Sequence, residues 1–239
     1  MMMNNAQNAK GFTLIEILFA LFIGLLLLAT IYVSMISGQR SSAALEDRVN
    51  AQQDARAALE LMAMEIGMAS FNPNFVTGIW RTPTGNCTGA SANQPYRGIQ
   101  VATVNSVTVE MDINENGAVG PPDGNEVIAY VYDTANQRVT RETSCGGAQS
   151  FLGDVPGTQG RSVRVINNTL NIPMFRYFNG MGVEILAAGL PAGIPNIRRI
   201  EITLAVETED PDPNVPGTTQ RRRLIYSTSV IPRNHAISL

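Results

Sequence analysis

The sequence predicts an α+β protein in which one long N-terminal helix precedes an antiparallel β domain. Three observations carry this. Residues 12–39 are almost wholly apolar, with Glu16 as the only charge. Apolar residues then recur at helical spacing up to about residue 70, and short alternating runs separated by Gly, Asn, Pro and Thr fill the remainder.

The apolar run is longer than the roughly 20 residues a helix needs to cross a bilayer. A cleaved secretory signal has a shorter apolar core followed by a small-residue cleavage site, and neither feature is present. The short polar leader, MMMNNAQNAKG, carries one positive charge, which favours a cytoplasmic start. A carboxylate inside such a segment costs roughly 2.5–3.5 kcal/mol at the helix centre and less near an end, so Glu16 calls for a cationic partner. The alternative is a carboxylate favoured by the dipole of the helix N-terminus, snorkelling to the interface.

Beyond the apolar run, Leu45, Gln52, Leu59 and Ile66 fall at seven-residue steps, flanked by Val49, Ala55, Met62, Ala63 and Ala69. This predicts an amphipathic continuation that ends before Asn72-Pro73. One helix from Phe12 to about Ser70 would be roughly 90 Å long. Residues 73–97 read as a long loop. Strands are expected at Ile99–Val104, Val107–Ile113, Glu126–Tyr132, Arg138–Thr143, Arg161–Ile166, Met174–Phe178, Ile197–Thr208 and Arg222–Val230. A hairpin turns at Asp133-Thr134-Ala135-Asn136, and an acidic, Pro-rich turn, EDPDPNVPG, lies between the last two strands. One antiparallel sheet against the amphipathic half-helix is the economical architecture.

Composition narrows function. The net charge is -3, and Lys10 is the only lysine, so loss of residues 1–11 leaves a net charge near -4. No strongly basic face follows, and nucleic acid is not an expected partner. Arg221-Arg222-Arg223 sits in a strand, where side chains alternate between faces, so it reads as a solvated or edge strand protected by charge. Tyr130 and Tyr132 share a sheet face and read as core. His235, the single histidine, is expected at the surface near the chain end, and no nucleotide-binding glycine motif occurs. An enzyme is not expected. Cys87 and Cys145 match no metal spacing; they are either free buried thiols or, if the domain lies outside the cytoplasm, a disulfide.

Gly11-Phe12-Thr13-Leu14-Ile15-Glu16, followed by about twenty apolar residues, resembles the class III signal of type IV prepilins and type II secretion pseudopilins. The resemblance implies cleavage between Gly11 and Phe12 by a prepilin peptidase, methylation of the new amino terminus, and retention of the apolar helix. It also implies that Glu16, fifth in the mature chain, neutralises the terminal amine of a neighbouring subunit. Two charges in apolar surroundings are tolerable when paired.

The order of parts is similar to minor pilins of the PilW type and to the related J-type pseudopilin. That likeness implies the pilin fold and a division into a leader (1–11), a transmembrane or filament-core helix (12–39), an amphipathic half-helix (40–71) and a β-rich domain (72–239). No proline occurs around Tyr32–Ser34, where many major pilins carry one, which points to a minor subunit. The expected function is a structural subunit of a type IV pilus that helps to start assembly near the tip. The alternatives are a type II secretion pseudopilin and a filament-tip adhesin contacting surfaces through loops 73–97 and 144–160.

Expected partners are other major and minor pilins, the prepilin peptidase, the inner-membrane assembly platform and, before assembly, membrane lipid. Such a chain spans the inner membrane once, with its globular part periplasmic or extracellular, and then joins the filament. That location favours a Cys87–Cys145 disulfide. Asp112, Asn114, Asn116, the Ala118 carbonyl and Asp123 also fall at calcium-loop positions one, three, five, seven and twelve, with Gly117 at the sharp turn and Glu126 as a further oxygen donor. Calcium is thus a possible cofactor. The other reading of this stretch is an Asn/Asp/Gly-rich turn that caps itself.

Overall fold

The structure, a computed structural model, describes residues 11–82, 87, 89–153, 163–211 and 221–236. Most of the expected leader, the start of the expected Arg161–Ile166 strand and most of the EDPDPNVPG turn lie outside these residues. The chain forms two compact units, Met1–Glu46 and Asp47–Leu239.

Helix α1 runs from Leu14 to Gly67. In the first unit its side chains are almost all exposed, as an apolar helix awaiting lipid or protein neighbours must be. In the second unit its buried stripe is Ala51, Ala55, Ala58, Leu59, Met62, Glu65 and Ile66. The small alanines let the helix axis approach the sheets closely.

Leu45 and Val49, expected on that face, are 58% and 47% exposed. The reason is geometric. At 3.6 residues per turn, seven-residue steps drift by about 20° per heptad, so the Leu45–Gln52–Leu59–Ile66 line runs along the rim of the stripe and reaches it only at its C-terminal end.

α1 ends earlier than Asn72-Pro73 because Ser70 takes a left-handed conformation and its N–H donates to the Glu110 carbonyl at 2.8 Å. The chain leaves the helix by pairing with the sheet. Gly98 lies against this exit with φ of +81°, and a Cβ there would stand 2.7 Å from Ser70 Cα and 2.8 Å from the Glu110 carbonyl oxygen. Only glycine fits.

The strands form two antiparallel sheets. In the first, β1 (Ile99–Ala102), β2 (Ser106–Glu110), β3 (Val127–Asp133), β4 (Arg138–Thr143) and β5 (Gln149–Leu152) lie in chain order. The β3–β4 hairpin turns where expected, with Asp133 opposite Arg138 and the Asn136 N–H donating to Asp133 Oδ1.

In the second sheet, β10 (Arg221–Val230), β9 (Arg199–Pro211), β7 (Phe175–Phe178) and β8 (Glu184–Ile185) are neighbours in that order. The strand β6 (Val163–Val165) also pairs with β9. The expected single sheet is therefore two, because β6 joins the sheet of β9 rather than extending that of β5. The strands β5 and β8 escape sequence reading, one being polar and mostly exposed, the other two residues long.

Side chains of α1 and both sheets share one core, including Met62, Ile66, Val107, Tyr130, Phe175, Tyr177, Ile200 and Leu204. The sheets are tied by polar contacts as well. Tyr177 Oη donates toward the Thr103 and Ser106 carbonyls, each at 3.0 Å, and the Met174 and Phe175 amides reach the Val104 carbonyl at 3.0 and 3.1 Å.

Candidate functional site

At the start of α1, Thr13 and Glu16 form a reciprocal capping box. Glu16 Oε2 accepts the Thr13 N–H at 2.8 Å and the Thr13 hydroxyl at 2.9 Å, while the Glu16 N–H donates to Thr13 Oγ1 at 3.3 Å. Free donors at a helix start are thereby satisfied, the general purpose of a Thr-x-x-Glu sequence at such a position. The box uses one carboxylate oxygen only. Gly11 and Phe12 precede it without helical structure, and Phe12 is 85% exposed. The helix that follows is long and apolar enough to cross a membrane.

Cys87 and Cys145 form a disulfide across 58 residues of sequence. Closing such a loop is worth roughly 4 kcal/mol in the chain-entropy model. It gathers a second, smaller core of Ile79, Trp80, Cys87, Val119 and Val127, fixing the 73–97 segment to the C-terminal end of the β3–β4 hairpin.

The Asp112–Asp123 stretch is closed by its own hydrogen bonds. Asp112 is fully buried, its Oδ1 accepting the Asn116 N–H at 3.1 Å and its Oδ2 the Gly117 N–H at 2.9 Å. Asn114 Oδ1 accepts the Asn116 N–H, Asn116 Oδ1 accepts the Ala118 N–H, and Asn116 Nδ2 donates to Asp123 Oδ2. Glu126 lies beneath, with Oε1 accepting the Ile113 and Asn114 amides and Oε2 the Gly120 amide. Burial, together with the negative charges of Asp123 and Asp112, raises its carboxyl above the usual range. Among the described residues no group of three or more His, Cys, Asp or Glu side chains is arranged to hold a metal ion.

His235 departs from expectation, being fully buried. Its Nε2–H donates to the Ile194 carbonyl at 2.8 Å, while Nδ1 faces the Ser70 hydroxyl at 2.9 Å and the Arg97 carbonyl at 3.0 Å. The short Arg233–Ala236 turn folds the chain end back under the exit of α1, and burial lowers the imidazole pKa. The ring is a brace between three segments.

Sequence reading also missed Glu65, which interrupts the buried stripe of α1. Arg141 grips it with two hydrogen bonds, Nη2 to Oε1 at 2.6 Å and Nε to Oε2 at 3.0 Å, and the Tyr130 hydroxyl donates to the same carboxylate. A lone acid within an otherwise apolar helical stripe is the signal that would have found it. Tyr130 and Tyr132 are core residues as expected. Arg221–Arg223 lies on β10, an edge strand, where Arg221 and Arg223 both pair with Glu207.

Residues 6–32 match the family model of the prokaryotic N-terminal methylation motif. That match supports a type IV pilin-like protein, and the exposed apolar helix with its antiparallel β domain is consistent with the pilin fold. The motif points to a structural role, to processing by prepilin peptidase and to assembly with other pilins. No curated protein and no solved structure gives a match.

Proposed function

We propose that this chain is a minor pilin of the PilW type, a structural subunit that enters a type IV pilus by its apolar helix and helps to start assembly near the tip. The observation that carries this reading is Gly11-Phe12 just before a capped helix whose apolar part, up to residue 39, is almost wholly exposed and carries Glu16 as its single charge. Cleavage at Gly11 leaves Phe12 as a methylated terminal amine. Glu16 Oε2 serves Thr13 within the subunit, and Oε1 accepts the terminal amine of a neighbour as helices bundle. Both charges are then paired inside an apolar filament core, where an unpaired one is costly. Before assembly the helix spans the inner membrane, beside the assembly platform, with the β domain on the periplasmic side.

Replacing Glu16 with Ala in the native cell tests the reading. The variant protein is expected in the membrane at normal level but absent from sheared filaments, and deletion of the gene is expected to reduce pili seen by electron microscopy. Normal incorporation of the variant refutes the role of Glu16. A secretion defect with normal piliation assigns the chain to a type II secretion system instead.

A further inference from the structure

The chain contains two Asn-Gly pairs, Asn116-Gly117 and Asn179-Gly180. Such a pair can react with itself, because glycine has no Cβ to keep its backbone nitrogen away from the asparagine side-chain carbon. The nitrogen attacks that carbon, ammonia leaves, and water opens the five-membered imide that results. The fold holds the two pairs in opposite states.

At Asn116-Gly117 both the attacking and the departing nitrogen are engaged. The Gly117 N–H, which must lose its proton to attack, donates to Asp112 Oδ2 at 2.9 Å, and Asn116 Nδ2, which would depart, donates to Asp123 Oδ2 at 2.9 Å. A carboxylate beside an N–H disfavours the anion that the attack requires.

At Asn179-Gly180, on the tip of the β7–β8 hairpin, the pattern is reversed. Gly180 is exposed, and its N–H has no hydrogen-bond partner among the described residues. Asn179 Oδ1 accepts the backbone N–H groups of Met181 and Val183, each at 3.0 Å. These two bonds fix the orientation of the amide. Two donors on one carbonyl oxygen are also the arrangement that stabilises the oxyanion formed when that carbonyl is attacked.

We propose that Asn179-Gly180 is a site of spontaneous deamidation at the hairpin tip. The Gly180 nitrogen gives its proton to hydroxide and bonds to Asn179 Cγ, and the negative oxygen rests on the Met181 and Val183 amides. The Cγ–Nδ2 bond then breaks, and Nδ2 takes a proton from water and leaves as ammonia. Water opens the imide at either carbonyl, which leaves an aspartyl or an isoaspartyl residue at position 179. Nothing is oxidised or reduced. In the isoaspartyl product the backbone gains a methylene, which displaces the bonds that close the tip, Asn179 N–H to the Val183 carbonyl at 2.9 Å and Gly182 N–H to the Asn179 carbonyl at 3.0 Å. The reaction needs no partner and is independent of filament assembly.

The full chain is incubated in mildly alkaline buffer, folded and in denaturant, and digested with trypsin. Cleavage after Arg97, Arg138, Arg176 and Arg198 puts the two pairs in separate peptides. The mass gain of an amide becoming an acid, and labelling by an isoaspartyl methyltransferase, are followed over time. In the denatured chain the two pairs are expected to convert at similar rates. In the folded chain position 116 should slow about tenfold, an added barrier of about 1.4 kcal/mol, while position 179 converts at least as fast as when unfolded. Gly180→Ala should suppress conversion at position 179. The added Cβ would lie 3.7 Å from Arg198 Cγ, an ordinary contact, so the fold is kept. Protection of position 179 by folding, equal rates at the two pairs in the folded chain, or undiminished conversion in Gly180→Ala overturns the proposal.

Discussion

Two buried titratable residues act in opposite directions on stability as pH changes. Glu110 is fully buried, with Oε2 accepting the Arg81 N–H at 3.0 Å and Oε1 without a partner. Burial pushes its carboxyl up to about 8, partly offset by the Arg81 contact. A folded-state pKa raised above the unfolded value means that the fold holds the proton more tightly. The stabilisation from this residue is thus complete below about pH 4.5 and is lost as pH rises towards 8.

His235 does the reverse, because burial lowers its pKa below 6.5, so its neutral form is favoured and the fold weakens as pH falls below that value. We expect Glu110→Gln to flatten the decline in melting temperature between pH 5 and 9, becoming more stable than wild type by a few kcal/mol at the alkaline end. Thermal melts followed by circular dichroism across that range decide it; an unchanged slope would show that Glu110 stays ionised throughout.

At the scale of elements, the contact between α1 and the first sheet depends on a charge as well as on apolar packing. Arg141 on β4 and Tyr130 on β3 both reach Glu65 on the helix. Removing one partner of a buried pair strands the other, so Arg141→Ala should cost about 3 kcal/mol. The double variant Glu65→Gln with Arg141→Met should lose markedly less than the two single losses added together, as denaturant melts of all four proteins can show.

The Asp112–Asp123 loop makes a second test at this scale. We propose that it is a turn capped by its own side chains, since both oxygens of Asp112 already accept backbone amides. Asp112→Ala should lower the melting temperature by the same amount with and without millimolar calcium. If calcium raises the wild-type melting temperature and Asp112→Ala abolishes that rise, the loop is instead a metal site of the weak extracellular kind.

For the whole molecule, the long apolar helix must survive processing to serve as an anchor. Intact-mass analysis of protein from the native membrane is expected to show a chain beginning at Phe12 with one added methyl group and with Cys87–Cys145 oxidised. A mass corresponding to Met1, or a start beyond the apolar run, contradicts the assignment. Reduction of the disulfide should loosen the 73–97 segment first, because that bond and its small core hold the segment to the sheet. Limited proteolysis with and without reductant would locate the first cuts.

The helix, the β-rich remainder, the hairpin at Asp133–Asn136 and the Gly11–Glu16 motif are legible in the amino-acid sequence, because each is encoded by neighbours a few residues apart. Hydrophobic period, turn residues and a charge next to an apolar run are all local signals. Tertiary structure decided what depends on distant partners. The division into two sheets rests on β6 choosing β9, and no local pattern distinguishes that pairing from an extension of β5. His235 looked like a surface residue because a lone histidine near a chain end carries no sign of the Ser70, Arg97 and Ile194 groups that bury it. Glu65 stands out as a lone acid in an apolar stripe, but what pairs it was not legible, because Arg141 lies 76 residues away. Burial of a polar group is settled by whether the fold supplies a partner, and that information is spread over the whole chain.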